Sequence, residues 1–172
     1  MSRVAGAKRR PDSKPRPAPR ARPGADARAR LEGFISKFSA ADQRLIRAVR
    51  SALRKRLPTA HELVYDNYNF FVIGYSPTER PSDAIISLAA RAGGVGVCFI
   101  HGATLPDPEG ILLGSGRQTR FLRIPAVGVL ARPEVEKLFA AAVAHSKAPL
   151  PRTGRGTLII RSVSAKQRPR QK

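Results

Sequence analysis

Residues 111–124, ILLGSGRQTRFLRI, set two glycines and three arginines behind a short apolar run. Glycine-rich backbone followed by cations suits a phosphate cradle, because amide N–H groups and guanidinium forks both donate to phosphate oxygens. The spacing fits neither common cradle. A P-loop needs G-x-x-x-x-G-K-[ST] between a strand and a helix, whereas Gly114, Ser115, Gly116 and Arg117 run into strand-like sequence. A dinucleotide fingerprint needs a third glycine where this chain has Thr119. The segment therefore reads as a turn feeding a strand. In an extended chain Arg117 and Arg123 share one face and Arg120 takes the other, so the three converge on one anion only if a bulge re-aims one.

The remaining candidates are sparse. Cys98 and His101 form C-x-x-H, but they alternate across a strand and no second Cys–His pair completes a zinc site. Cys98 reads as a small buried hydrophobe. His61 falls at a helix-to-strand junction. His145 falls near a helix C-terminus, where the dipole favours its charged form. Among the acids Glu62, Asp66, Glu79, Asp83, Asp107 and Glu109, the last two lie in LPDPEG, where turn chemistry accounts for them. Asp66, Asn67, Tyr68 and Asn69 directly precede an apolar strand, where ligand-facing loops sit. Asp66, Tyr68, Asn69, His101, Arg117 and Arg120 thus form the candidate ligand-binding set, and no catalytic residue is assigned. An enzyme would draw on Tyr68, His101 and Arg120 around the same pocket.

The elements that must position these groups follow from periodicity. Leu31, Phe34, Ile35 and Phe38 make a helical stripe, with Asp26 as its expected N-cap. Ser39 caps a second helix in which Leu45, Val49, Leu53 and Leu57 recur every four residues, with Ile46 beside them, until Pro58 ends it. Arg44, Arg47, Arg50, Arg54 and Lys55 line the other side, which reads as a solvated face. Strands are expected near 63–65, 69–75, 84–91, 95–100 and 119–124, the third and fourth joined by a Gly93–Gly94 hairpin. Val95, Val97 and Phe99 share one side; Gly94, Gly96 and Cys98 offer a smooth face to a close-packed helix. Pro133 opens a last helix carrying Val135, Leu138, Phe139 and Ala142. TLIIRSV, 157–163, reads as a late strand or a partner-binding strand. The expected fold is α+β, an antiparallel sheet of four to five strands packed against two N-terminal helices and one C-terminal helix.

Charge divides the chain. The formal net charge is +20 over 172 residues; 1–30 and 147–172 each carry +8, leaving +4 between them. Residues 1–25 combine proline, positive charge and little apolar mass, and are expected to be disordered. The folded domain is placed at 26–147, followed by a basic extension over 148–172. Such ends attract polyanions through counterion release, making non-specific nucleic acid a candidate partner through 1–30 and 147–172. Arginine outnumbers lysine 24 to 8, a bias that GC-rich codon usage also produces. A single cysteine excludes an intramolecular disulfide, and no apolar run reaches the roughly 20 residues of a membrane helix. A cytoplasmic protein without a membrane partner is the expectation.

YDNYNFFVIGYS, two further strands and FIHGATLPDPEGILLGSGRQTRFLRI together resemble the YdhG-like family, domain of unknown function 1801, over about residues 27–146. The run G-x-x-L-x-D-P-x-G-x-L-x-G-x-G-[KR]-x-x-R carries most of the likeness. It is met by Gly102, Leu105, Asp107, Pro108, Gly110, Leu112, Gly114, Gly116, Arg117 and Arg120. The ending SVSAKQRPR is similar to a tail of some relatives. The resemblance implies a small frataxin-like α+β fold, and, through a label some members carry, an iron chaperone with iron as cargo. Iron binding of the frataxin type uses an acidic helical surface, because hard cations want carboxylate oxygens; the helix here exposes arginines, with only Glu32 and Asp42 nearby. The first aromatic segment also lacks a proline common in relatives. The expected function is a non-catalytic domain that binds a small ligand or macromolecular partner through 66–69 and 101–120, with an iron chaperone or an enzyme as alternatives.

Overall fold

A computed structural model of the chain describes residues 23–171. The expected disorder of 1–25 therefore lies outside the described residues except at 23–25, which are helical. Helix α1 spans Pro23–Ile35, with Pro23 at its start, so Asp26 sits inside the first turn, where a carboxylate meets the positive end of the dipole, instead of forming the cap. Helix α2 spans Ala40–Arg56. The Ser39 hydroxyl accepts from the Asp42 amide at 3.2 Å, as an N-cap should.

The sheet follows as β1 (His61–Asp66), β2 (Phe71–Ser76), β3 (Ile86–Arg91), β4 (Gly94–Phe99) and β5 (Arg120–Arg123), then helix α3 (Pro133–Ala144) and β6 (Leu158–Val163). Strand order is β5-β4-β3-β2-β1-β6. The first five strands pair antiparallel, through short turns. β6 lies parallel to β1, pairing Glu62 with Leu158 and Asp66 with Val163 across a register shift after Val64. The fold is thus the expected α+β class, but its sheet is mixed and six-stranded, because the late apolar segment joins it.

The helical stripes and the inward strand residues meet in one core. Leu31, Ile35 and Phe38, then Ile46, Val49 and Leu53, then Val135 and Leu138 bury against Ile73, Leu88 and Val97. Phe38 meets Phe71 edge-on at 6.0 Å between ring centres, and Phe99 meets Phe139 at 5.3 Å. On β4 the helices take the Val95, Val97 and Phe99 side, contrary to the expected helix approach over Gly94 and Gly96. Three large side chains there supply apolar area that glycines lack. The space beside Gly96 is closed by the Leu122 carbonyl of neighbouring β5.

Candidate functional site

The 111–124 stretch folds as a turn. Leu113 and Phe121 exchange backbone hydrogen bonds of 2.8 and 2.9 Å, closing a loop in which Gly114 takes a φ of 110°, open only to glycine. The Arg120 guanidinium folds back onto the Gly116 and Thr119 carbonyls, while Arg117 stands exposed. Asp107 accepts from the Ile111 and Leu112 amides, so its carboxylate is held by its own turn. His101 shares its Nδ1 with Gln118 at 3.3 Å, and its Nε2 is buried without a partner. That ring borders a cavity of about 10 Å³ shared with His145 and Asp83, room for a single water. Burial raises the Cys98 thiol above its ordinary pKa, against a smaller lowering by its hydrogen bond with Ser87.

The six candidate residues divide between opposite ends of the sheet. Asp66, Tyr68 and Asn69 sit where β1 turns into β2, the end at which β4 begins. His101 and Arg120 sit at the other end of β4, where Phe99 pairs with Arg120. A six-residue strand separates the two groups, a length of ~17–20 Å. Tyr68 therefore shares no pocket with His101 and Arg120.

What the 66–69 segment holds is another part of the same chain. Past β6 the backbone continues the ladder, with the Ser164 amide donating to the Asp66 carbonyl at 2.9 Å and the Arg168 amide to the Tyr68 carbonyl at 3.0 Å. Asp66 is fully buried on the inner face of β1. It accepts from Lys37 Nζ at 2.5 Å, Gln167 Nε2 at 2.7 Å and Arg170 Nη2 at 3.2 Å. Arg170 is 4% exposed; its fork also donates to the Asn67 and Asn69 carbonyls, and its guanidinium lies 5.6 Å from the centre of the Phe38 ring. Arg168 stacks at 5.6 Å over Tyr68.

A second buried carboxylate stands at the other end of β1. Glu62 faces inward beside Tyr75, its antiparallel partner. Arg50 grips it bidentately, Nε and Nη2 both at 2.8 Å, and Arg54 adds a bond of 2.5 Å. The arginine face of α2, expected to be solvated, is thus divided: Arg44, Arg47 and Lys55 are exposed, but Arg50 and Arg54 cover a charge that the strand buries. Burial alone would lower the Arg50 pKa; the Glu62 hydrogen bond and charge raise it above its ordinary value. Burial, then the Glu62 charge, pushes the Tyr75 phenol well above 10, so it stays protonated and donates to Glu62 at 3.4 Å.

Above this network opens a cleft of about 390 Å³ between α1, α2 and the segment leading to β6, lined by Arg28, Leu31, Glu32, Arg50, Arg54 and Arg155. Glu62 fixes one edge of each helical fork, and Arg50 Nη1 and Arg54 Nη2 keep donors not taken by the described residues. The segment carrying Arg155 is seated by Gly156, where any side chain would overlap the Ala60 carbonyl. Sequence reasoning named Glu62 only among the acids and missed Arg28, Arg155, Lys37, Gln167 and Arg170 as site-forming residues. The available signal was the spacing of Glu62, Val64 and Asp66, which puts two acids and an apolar residue on one strand face.

Among the described residues no three His, Cys, Asp or Glu side chains gather as metal ligands, and no helix is long and apolar enough to cross a membrane. No family model, curated protein or solved structure matches the chain. Its fold and its cleft define it as a strongly basic α+β domain with a preformed arginine-lined surface.

Proposed function

We propose that the chain is a non-catalytic domain that binds nucleic acid through its phosphates, with the arginine cleft as the principal contact and the basic segments 1–30 and 147–172 adding long-range attraction. The observation that carries this reading is the cleft itself: four guanidinium groups converge on one opening, two of them oriented in advance by a buried carboxylate. Pre-orientation lowers the side-chain entropy cost of gripping a phosphate. A formal charge of +20 supports salt-sensitive encounter with a polyanion. The separation of Tyr68 from His101 and Arg120 favours binding over catalysis. The YdhG-like resemblance is kept as a proposed family, supported by the α+β architecture; nothing in the donor set favours the iron reading.

The test is binding of the full chain to a fluorescent duplex across a salt series. Affinity is expected to fall linearly in log–log form as salt rises. R28A/R155A removes two exposed arginines, so folding should be untouched, while the salt slope should fall by about 1 to 2. Unchanged affinity and slope in this variant would remove the cleft from the interface.

A further inference from the structure

Charge balance at the arginine cleft narrows the kind of phosphate it suits. Arg28, Arg50, Arg54 and Arg155 meet only two carboxylates there, Glu62 beneath them and Glu32 at the rim. At least two positive charges therefore stay uncompensated at one opening. A backbone diester brings a single charge and two free oxygens to such a place. A terminal phosphate monoester brings about −1.5 to −2 charges at pH 7 and three acceptor oxygens. The monoester matches the charge, and its extra oxygen meets donors that Glu62 leaves free on Arg50 and Arg54. The lining has no aromatic ring on which a base could stack, so the phosphate itself is the group to be read.

Glu32 adds a reason for the phosphate to be terminal. It lines the cleft from α1, and Arg47, one turn before Arg50 on α2, gives it both Nε and Nη2 at 3.0 Å. The row of cations along α2 is thus interrupted beside the opening. A strand running on through the cleft would bring a further phosphate toward the Glu32 carboxylate, whereas a strand that ends there would not. Sites discriminate by such unfavourable contacts with the competitor as well as by favourable ones with the ligand.

We propose, resting on the nucleic-acid reading above, that the cleft takes the end of a strand and holds its terminal phosphate monoester, with Glu32 turning away backbone that continues past it. A free nucleotide offers the same group, but it lacks the polyanion on which the basic segments 1–30 and 147–172 act.

The experiment uses the full chain and three internally labelled duplexes, followed by anisotropy. One carries 5′ phosphates, one of the same sequence carries 5′ hydroxyls, and one is hydroxyl-ended but lengthened until its net charge equals that of the first. The phosphate-ended duplex should bind about tenfold more tightly than either hydroxyl-ended one. That advantage should fall below about threefold in R28A/R155A, and also in E32Q, where the hydroxyl-ended duplexes gain affinity. Both variants change exposed side chains, and circular dichroism checks that they fold. Equal binding of all three duplexes, weakened in R28A/R155A, overturns the strand-end proposal and leaves the phosphate-binding cleft standing. Binding of none overturns both. An advantage that survives R28A/R155A puts the strand end outside the cleft and overturns the proposal. Adenosine 5′-monophosphate, titrated by calorimetry, should bind about tenfold more weakly than the phosphate-ended duplex; equal affinity would make a free nucleotide the ligand and overturn the assignment to a strand end.

Discussion

Two buried carboxylates occupy the two ends of one strand face, four residues apart, and the chain neutralises them in different ways. Glu62 takes its cations from α2, 8 and 12 residues earlier, on an element that packs on the same core. Asp66 takes Lys37 from 29 residues earlier, and Gln167 and Arg170 from 101 and 104 residues later. The first cluster is rigid, with forks fixed by a helix and donors left over for a ligand. The second is closed by a strap that no helix anchors. The same buried charge thus serves as a pedestal at one end of the strand and as a lock at the other.

The largest expected effect tests the pedestal. R50M/R54M leaves the Glu62 carboxylate, 2% exposed, facing only the Tyr75 hydroxyl. Stripping a buried ion of its partners should cost about 3–5 kcal/mol in urea unfolding at pH 7. A loss under about 1 kcal/mol would mean that water reaches Glu62 and that the arginines are not its necessary partners.

D66N should cost less, about 2–3 kcal/mol, because the amide still accepts one hydrogen bond and Lys37 can turn to solvent. Its sharper signature is spatial. Amide exchange should rise through β6 and the strap while α2 stays protected. Equal loosening of both regions would erase the distinction between pedestal and lock.

The smallest effect at neutral pH belongs to Y75F, about 0.5–1 kcal/mol for one long hydrogen bond. Its consequence appears in alkali. The folded phenol titrates well above 10, held up by burial first and by Glu62 second. Above pH 10 the unfolded chain releases that proton while the folded chain keeps it. The unfolded state then binds fewer protons, and stability falls with rising pH by up to about 1.4 kcal/mol per unit from this group. The contribution is complete below pH 10 and is lost as pH climbs toward the folded value. Y75F should flatten the alkaline limb of a pH–stability curve; an unchanged limb would place the phenol in contact with solvent.

The comparison also explains what the sequence made legible. The stripes of α1, α2 and α3 are local signals of 3.6-residue period, the Ser39 cap and the Gly93 turn are local too, and the helices form over those stripes, α1 starting three residues before the expected Asp26 cap. The second segment did not announce its neighbour: LIIRSV reads as a strand, but nothing within it names β1, about 95 residues earlier, as a parallel partner. The polar face of α2 was visible, whereas its division into solvent-facing and Glu62-facing arginines depends on which strand passes underneath. The 66–69 segment stood out by its position before an apolar strand, but that position does not say what packs against it. Its occupant in the folded chain, Gln167 with Arg170, is fixed by tertiary packing alone.

β6 docks beside β1 as the one parallel pair among the described residues, and this ordering has a cost during synthesis. Residues 61–66 leave the ribosome before 158–170, a delay of about 5–20 s for roughly 100 residues at ordinary elongation rates. Through that interval the β1 edge lacks its parallel partner, and the Asp66 carboxylate beside it has Lys37 but neither Gln167 nor Arg170 to meet it. An inward charge on an edge discourages foreign strands from annealing there, so Asp66 protects the very border that its later partners seal.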